Sequence, residues 1–74
     1  METLFTIQEQ LPEGCKVRGF NLDNELELTN ITVMTEGALT LELSNRLVTI
    51  FQDNLSDFNL SGNVENGQLS ARVE

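Results

Sequence analysis

From Cys15 onward, apolar residues recur at every second position in short runs broken by Gly, Asn, Asp and Ser, which is the period of strands and not of helices. Cys15 and Val17 alternate with Lys16 and Arg18, so a strand is predicted over residues 15–21. In Glu25–Val33 the apolar positions are Leu26 and Leu28, then Ile31 and Val33. The inward parity thus switches at Thr29 and Asn30, and one extra residue in the strand, a β-bulge, is the economical way to switch it. Thr35-Glu36-Gly37 then predicts a tight turn from Ile31/Val33 into a strand carrying Leu39, Leu41 and Leu43. Ser44-Asn45-Arg46 reads as the next turn, and Leu47–Gln52 as a strand apolar on both faces, either central in the sheet or covered by a partner.

The last third has the clearest alternation. Phe58, Leu60, Gly62 and Val64 alternate with Asn59, Ser61 and Asn63, Glu65-Asn66-Gly67 supplies a hairpin turn, and Leu69, Ala71 and Val73 return. The first eleven residues fit two readings: Leu4, Ile7 and Leu11 suit one face of a helix, whereas Phe5 and Ile7 alternating with Thr6 and Gln8 suit a strand. The Thr-containing, aromatic start and the Leu11-Pro12-Glu13-Gly14 turn favour the strand, with a short helix packed over the sheet as the alternative. The expected fold is mainly β: one domain over residues 1–74, a small antiparallel meander of six or seven short strands closing into a barrel or sandwich. A Phe-Asn-Leu triplet occurs at 20–22 and again at 58–60, but no period of repeat length is sustained and the echo reads as chance.

Seventy-four residues leave room for one core only, and at this size stability usually draws on disulfides, a metal or a partner subunit. One cysteine and no histidine remove the intramolecular disulfide and the His/Cys ligand sets of zinc. Residues 1–11 carry no basic stretch and are interrupted by Glu2, Gln8, Glu9 and Gln10, so they read as neither a secretory signal nor a membrane span, and a cytoplasmic protein is expected.

Charge changes the picture most. Twelve acids against Lys16, Arg18, Arg46 and Arg72 give a net charge of −8, a field that repels phosphate backbones and acidic membranes, so neither direct nucleic-acid binding nor membrane binding is expected. Catalysis has little to work with. No histidine can activate a Ser, Thr or Cys, the five glycines are scattered and form no phosphate-cradling loop, and with neither Trp nor Tyr a sugar-stacking platform is missing. Cys15, flanked by Lys16 and Arg18 that a strand would point away from it, reads as a buried structural thiol. Asp23, Glu25 and Glu27 would line one face of a strand, yet their spacing is not that of a calcium loop, and a solvated acidic face is the expectation.

The chain is therefore expected to be no enzyme, with no cofactor and no metal, and to act as a small acidic protein-binding module. Its contact residues are expected among the outward acids Glu25, Glu27, Glu42, Asp53, Asp57 and Glu65. In its sharpest form it is an inhibitor of phage type that imitates nucleic acid and occupies the basic channel of a nucleic-acid-binding partner, which requires those carboxylates on one face. The alternative is a structural β subunit that assembles with copies of itself, as a homo-oligomer joined through strand edges or the second apolar face of Leu47–Phe51.

Overall fold

In the computed structural model, which describes residues 2–63 and 65–74 and only the backbone of Glu2, six elements follow in the order α1 (Glu2–Gln10), β1 (Cys15–Leu22), β2 (Leu28–Thr35), α2 (Leu41–Asn54), β3 (Phe58–Asn63) and β4 (Gln68–Val73). The strands form one open antiparallel sheet of order β1-β2-β4-β3. The fold is mainly β as expected, but with four strands and not six or seven, and the sheet closes into neither a barrel nor a sandwich. No described helix is long and apolar enough to cross a membrane.

Three expected strands are not there, and helical packing explains each. The N-terminal segment is α1, which buries Leu4 and Ile7. A helix of nine residues is marginal alone, so burial of that pair in the shared core holds it, and the 3.6-residue spacing prevails over the Phe5/Ile7 alternation. The Leu39–Leu43 strand, the Ser44-Asn45-Arg46 turn and the Leu47–Gln52 strand are replaced by a short extended approach and the single helix α2. Thr40 caps it, its Oγ1 accepting from Leu43 N at 3.1 Å, and Glu42 in the first turn suits the positive end of the helix dipole. Leu43, Leu47, Ile50 and Phe51 fall at helical spacing on the inner face, the last three of them buried, while Leu41 is 78% exposed. Each fully buried side chain of this kind contributes about 1.5–3 kcal/mol relative to exposure, which outweighs the few tenths that β-branched Val48, Thr49 and Ile50 cost in a helix.

The first strand, the C-terminal hairpin and the bulge are present, whereas the strand expected over Glu25–Val33 begins only at Leu28. β1 begins at Cys15 as read and runs one residue beyond 21, and the Phe58–Val73 hairpin is formed around the turn at 65–67. The expected inward Val64 lies outside the described residues. Asn21 pairs with Asn30 and Leu22 with Leu28, which leaves Thr29 as the extra residue of the expected bulge; a second irregularity leaves Arg18 of β1 unpaired. The bulge at Thr29 lets Leu28, Ile31 and Val33 all face the core, where Leu69 and Ala71 of β4 join them.

Both helices cover the same face of the sheet, since α1 and α2 contribute to one cluster with β2 and β4. Their ends are tied by Asn54, whose Nδ2 donates to Gln10 Oε1 at 3.0 Å and to Ile50 O at 2.7 Å. The order is α-β-β twice over, the two halves meeting where β2 lies antiparallel to β4. Thr32 and Ser70 sit opposite each other at that seam, their hydroxyls 2.8 Å apart. The Phe-Asn-Leu echo does not follow this duplication. Gly19 pairs with Thr32 and Ser61 with Ser70, so Phe20 corresponds to Gly62 and not to Phe58.

The turn before β4 is locked to the exit of β2. Gly67 adopts φ +68°, its carbonyl accepts from Thr35 N at 2.8 Å, and Thr35 Oγ1 donates to Gly37 O at 2.6 Å. A Cβ at Gly67 would overlap Gly37 O and Thr35 Oγ1. Gly67→Ala therefore combines left-handed strain with a clash against backbone, and should cost about 2 kcal/mol or more, lowering the melting temperature by about 10 °C. Thermal unfolding followed by circular dichroism checks this, and an unchanged midpoint would contradict it.

Candidate functional site

Strand composition divides the charges. None of the twelve acids lies in β1, β2, β3 or β4, whereas Lys16, Arg18 and Arg72 all do. Strands disfavour Asp and Glu, and the one face not covered by helices holds Lys16, Arg72, Met34 and a field of Asn, Gln, Ser and Thr. The carboxylates are thereby displaced to the helices and to the loops at the two ends of the sheet.

All six acids expected at the site are exposed, but they are not gathered on one face. Leu22, Leu28, Phe58 and Val73 mark one end of the sheet. Glu25 and Glu27 lie there in the β1–β2 loop, Asp57 just before β3 and Asp53 in the last turn of α2, with Asp23 and Glu74 beside them. A cleft of ≈ 250 Å³ joins these segments, lined by Glu27, Leu28, Asn54, Leu55, Ser56 and Val73 together with Thr3. Glu65, in the β3–β4 turn, and Glu42, at the start of α2, belong to the opposite end. The acidic end bears one cost that the helices do not relieve: α2 has no basic residue in its last turn, and Asp53 faces the negative end of its dipole.

The β1–β2 loop is the best-defined part of this end. Asp23, Glu25 and Glu27, expected along one face of a strand, lie instead in a turn that Asp23 organises from within. Its Oδ1 accepts from Glu25 N at 2.8 Å and from Glu27 N at 3.0 Å, its amide donates to Glu27 O at 2.9 Å, and its carbonyl accepts from Leu26 N at 3.1 Å. The Asp23 carboxylate is thus used inside the loop, as Asx turns use it, and the Glu25 and Glu27 carboxylates are presented outward. Between them Leu26 is 62% exposed with φ +62°. A leucine in the left-handed region costs about 1 kcal/mol, and Asn or Gly would sit there more easily. In the sequence Leu26 has the spacing of an inward strand position, and only the Asp23-Asn24 pair, a common turn opener, hints at a loop.

Other chemistry is sparse. Cys15 is half-buried and packs against the core; burial pushes its thiol pKa up, while the Arg46 guanidinium pulls the other way, and the net shift is upward. A protonated, partly covered thiol is a poor nucleophile. Among the described residues no group of three or more His, Cys, Asp or Glu side chains is placed to hold a metal ion. On the uncovered face, Asn21, Asn30, Arg72 and Asn59 form a row across all four strands, within which Asn30 Oδ1 is buried without a hydrogen-bond partner. No protein-family model, curated protein or solved structure matches the chain.

Leu26→Asn should relieve the strain at φ +62° and keep the loop, raising stability by about 0.5–1 kcal/mol and the melting temperature by a few degrees. A fall in melting temperature would mean that the Leu26 side chain stabilises the free fold by more than its backbone costs.

Proposed function

We propose that the protein is a non-enzymatic binding module that engages a basic protein surface through the acidic end of its sheet. The observation that carries this reading is the Asp23-organised loop, which holds Glu25 and Glu27 outward on either side of the exposed, strained Leu26. A loop backbone already held by Asp23 has less freedom to lose on binding, and long-range attraction between a −8 chain and a basic surface accelerates encounter. An apolar side chain ringed by charge is the arrangement of an interface centre with its polar rim. Asp57 and Asp53 extend the acidic surface beyond the loop. Imitation of a nucleic-acid phosphate track would need all six carboxylates on one face, and with Glu42 and Glu65 at the other end of the sheet that narrower version lacks support.

Charge reversal tests the proposal. The protein, Glu25→Lys/Glu27→Lys and Glu42→Lys/Glu65→Lys are immobilised and exposed to a lysate at low and at high salt. A basic protein should be retained by the parent and by the Glu42/Glu65 variant, released by salt, and lost by the Glu25/Glu27 variant. Equal losses from both variants, or retention by the Glu25/Glu27 variant, would contradict it.

A further inference from the structure

The open sheet has two edges, and only one of them is defended. β1 carries Lys16 and Arg18 and is interrupted by the bulge at Arg18, devices that keep an edge from pairing with a new strand. β3 has none of them: Phe58-Asn59-Leu60-Ser61-Gly62-Asn63 contains no charge and no proline, and its six residues pair with β4 in unbroken register. Leu60, on the helix-covered side of the sheet, is still 43% exposed. The outer backbone groups of β3 are therefore a free template for one more strand.

We propose that β3 pairs with β3 of a second copy, antiparallel about a two-fold axis through Leu60, so that two four-stranded sheets become one continuous sheet with the helices of both copies on the same side. This interface runs along the edge of the sheet and meets the acidic end only where Asp57 leads into Phe58. The sequence of the strand is what selects a second copy. Directly opposed residues in an antiparallel pair share a face, so centring on Leu60 places Leu60 against its own mate, Phe58 against Gly62 and Asn59 against Ser61. The most exposed apolar side chain of the edge is thereby covered, an aromatic ring covers a glycine, which is a favourable cross-strand match, and polar meets polar on the open face. No charged pair is opposed within the strand. Beyond its ends, Asp57 of one copy falls opposite Asn63 of the other, with Glu65 a further two residues along, and each copy carries −8, so the association is weak at low salt and strengthened by screening. This sign is opposite to that of the basic partner at the acidic end, which salt releases.

Sedimentation equilibrium at several protein concentrations, in low salt and in 0.5 M NaCl (~4 Å screening length), decides the matter. The protein should move reversibly from 8.3 kDa towards twice that mass as concentration rises, and further so in high salt. Leu60→Lys and Ser61→Lys should stay monomeric throughout with unchanged circular dichroism, while Lys16→Glu on the other edge should associate as the parent does; Ser61, exposed on the polar face, decides the case where Leu60→Lys does not fold. In a Cys15→Ser background, Leu60→Cys should oxidise to a covalent dimer and Asn63→Cys should not, because only the former meets its own mate at disulfide distance. A parent that is monomeric at every concentration in high salt, or association unaffected by Ser61→Lys, overturns the proposal.

Discussion

Only one face of the sheet is covered, and the rest of the molecule follows from that asymmetry. Ile31 and Val33 of β2 and Leu69 and Ala71 of β4 need a hydrophobic lid, and Leu4, Ile7, Leu47, Ile50 and Phe51 of the two helices provide it. Among the described residues twelve hydrophobic side chains form the core, few enough that each carries a large share of a small total stability. Phe51 shows how closely the lid is fitted: it is fully buried, and its ring meets Phe58 edge to face with centroids 6.0 Å apart. Helices confined to one side leave the other side of β2 and β4 in water, which is why Thr32, Ser70, Gln68 and Arg72 can occupy central strands.

The same asymmetry sorts the charge. A strand position here is either under the helices, where a carboxylate would be desolvated, or on a pleated surface where Asp and Glu are poorly suited. An acidic chain with this fold therefore has to place its carboxylates in the helices and at the strand ends. The result is a molecule with a −8 total whose sheet carries cations alone, so net charge by itself misdescribes the surface that a partner meets.

Much of this was legible in the sequence and some was not, for reasons that can be assigned. The C-terminal hairpin was readable because Asn66-Gly67 fixes a turn between two strict alternations, and the bulge because Leu28, Ile31 and Val33 cannot share a face without one. Helix α2 was not, because Leu39, Leu41 and Leu43 alternate as a strand would and Ser44-Asn45-Arg46 resembles a turn. The longer pattern Leu43, Leu47, Ile50, Phe51 behind an N-capping Thr40 held the correct answer, and burial of that stripe overrode the local alternation. The outward direction of Glu25 and Glu27 was legible, but their loop was not. Period-two spacing in Asp23–Leu28 looks the same whether or not the Asp23 carboxylate turns back to bind the backbone.

The central claim is that the acidic end, and not acidity in general, is the recognition surface. Its most direct test is a nuclear magnetic resonance titration of the ¹⁵N-labelled protein with a short lysine-rich peptide at low salt. The account predicts amide shifts concentrated at Asp23–Glu27, Asp53–Asp57 and Glu74 and reversed by added salt. Shifts of equal size around Glu42 and Glu65, or spread evenly over all exposed carboxylates, would contradict it.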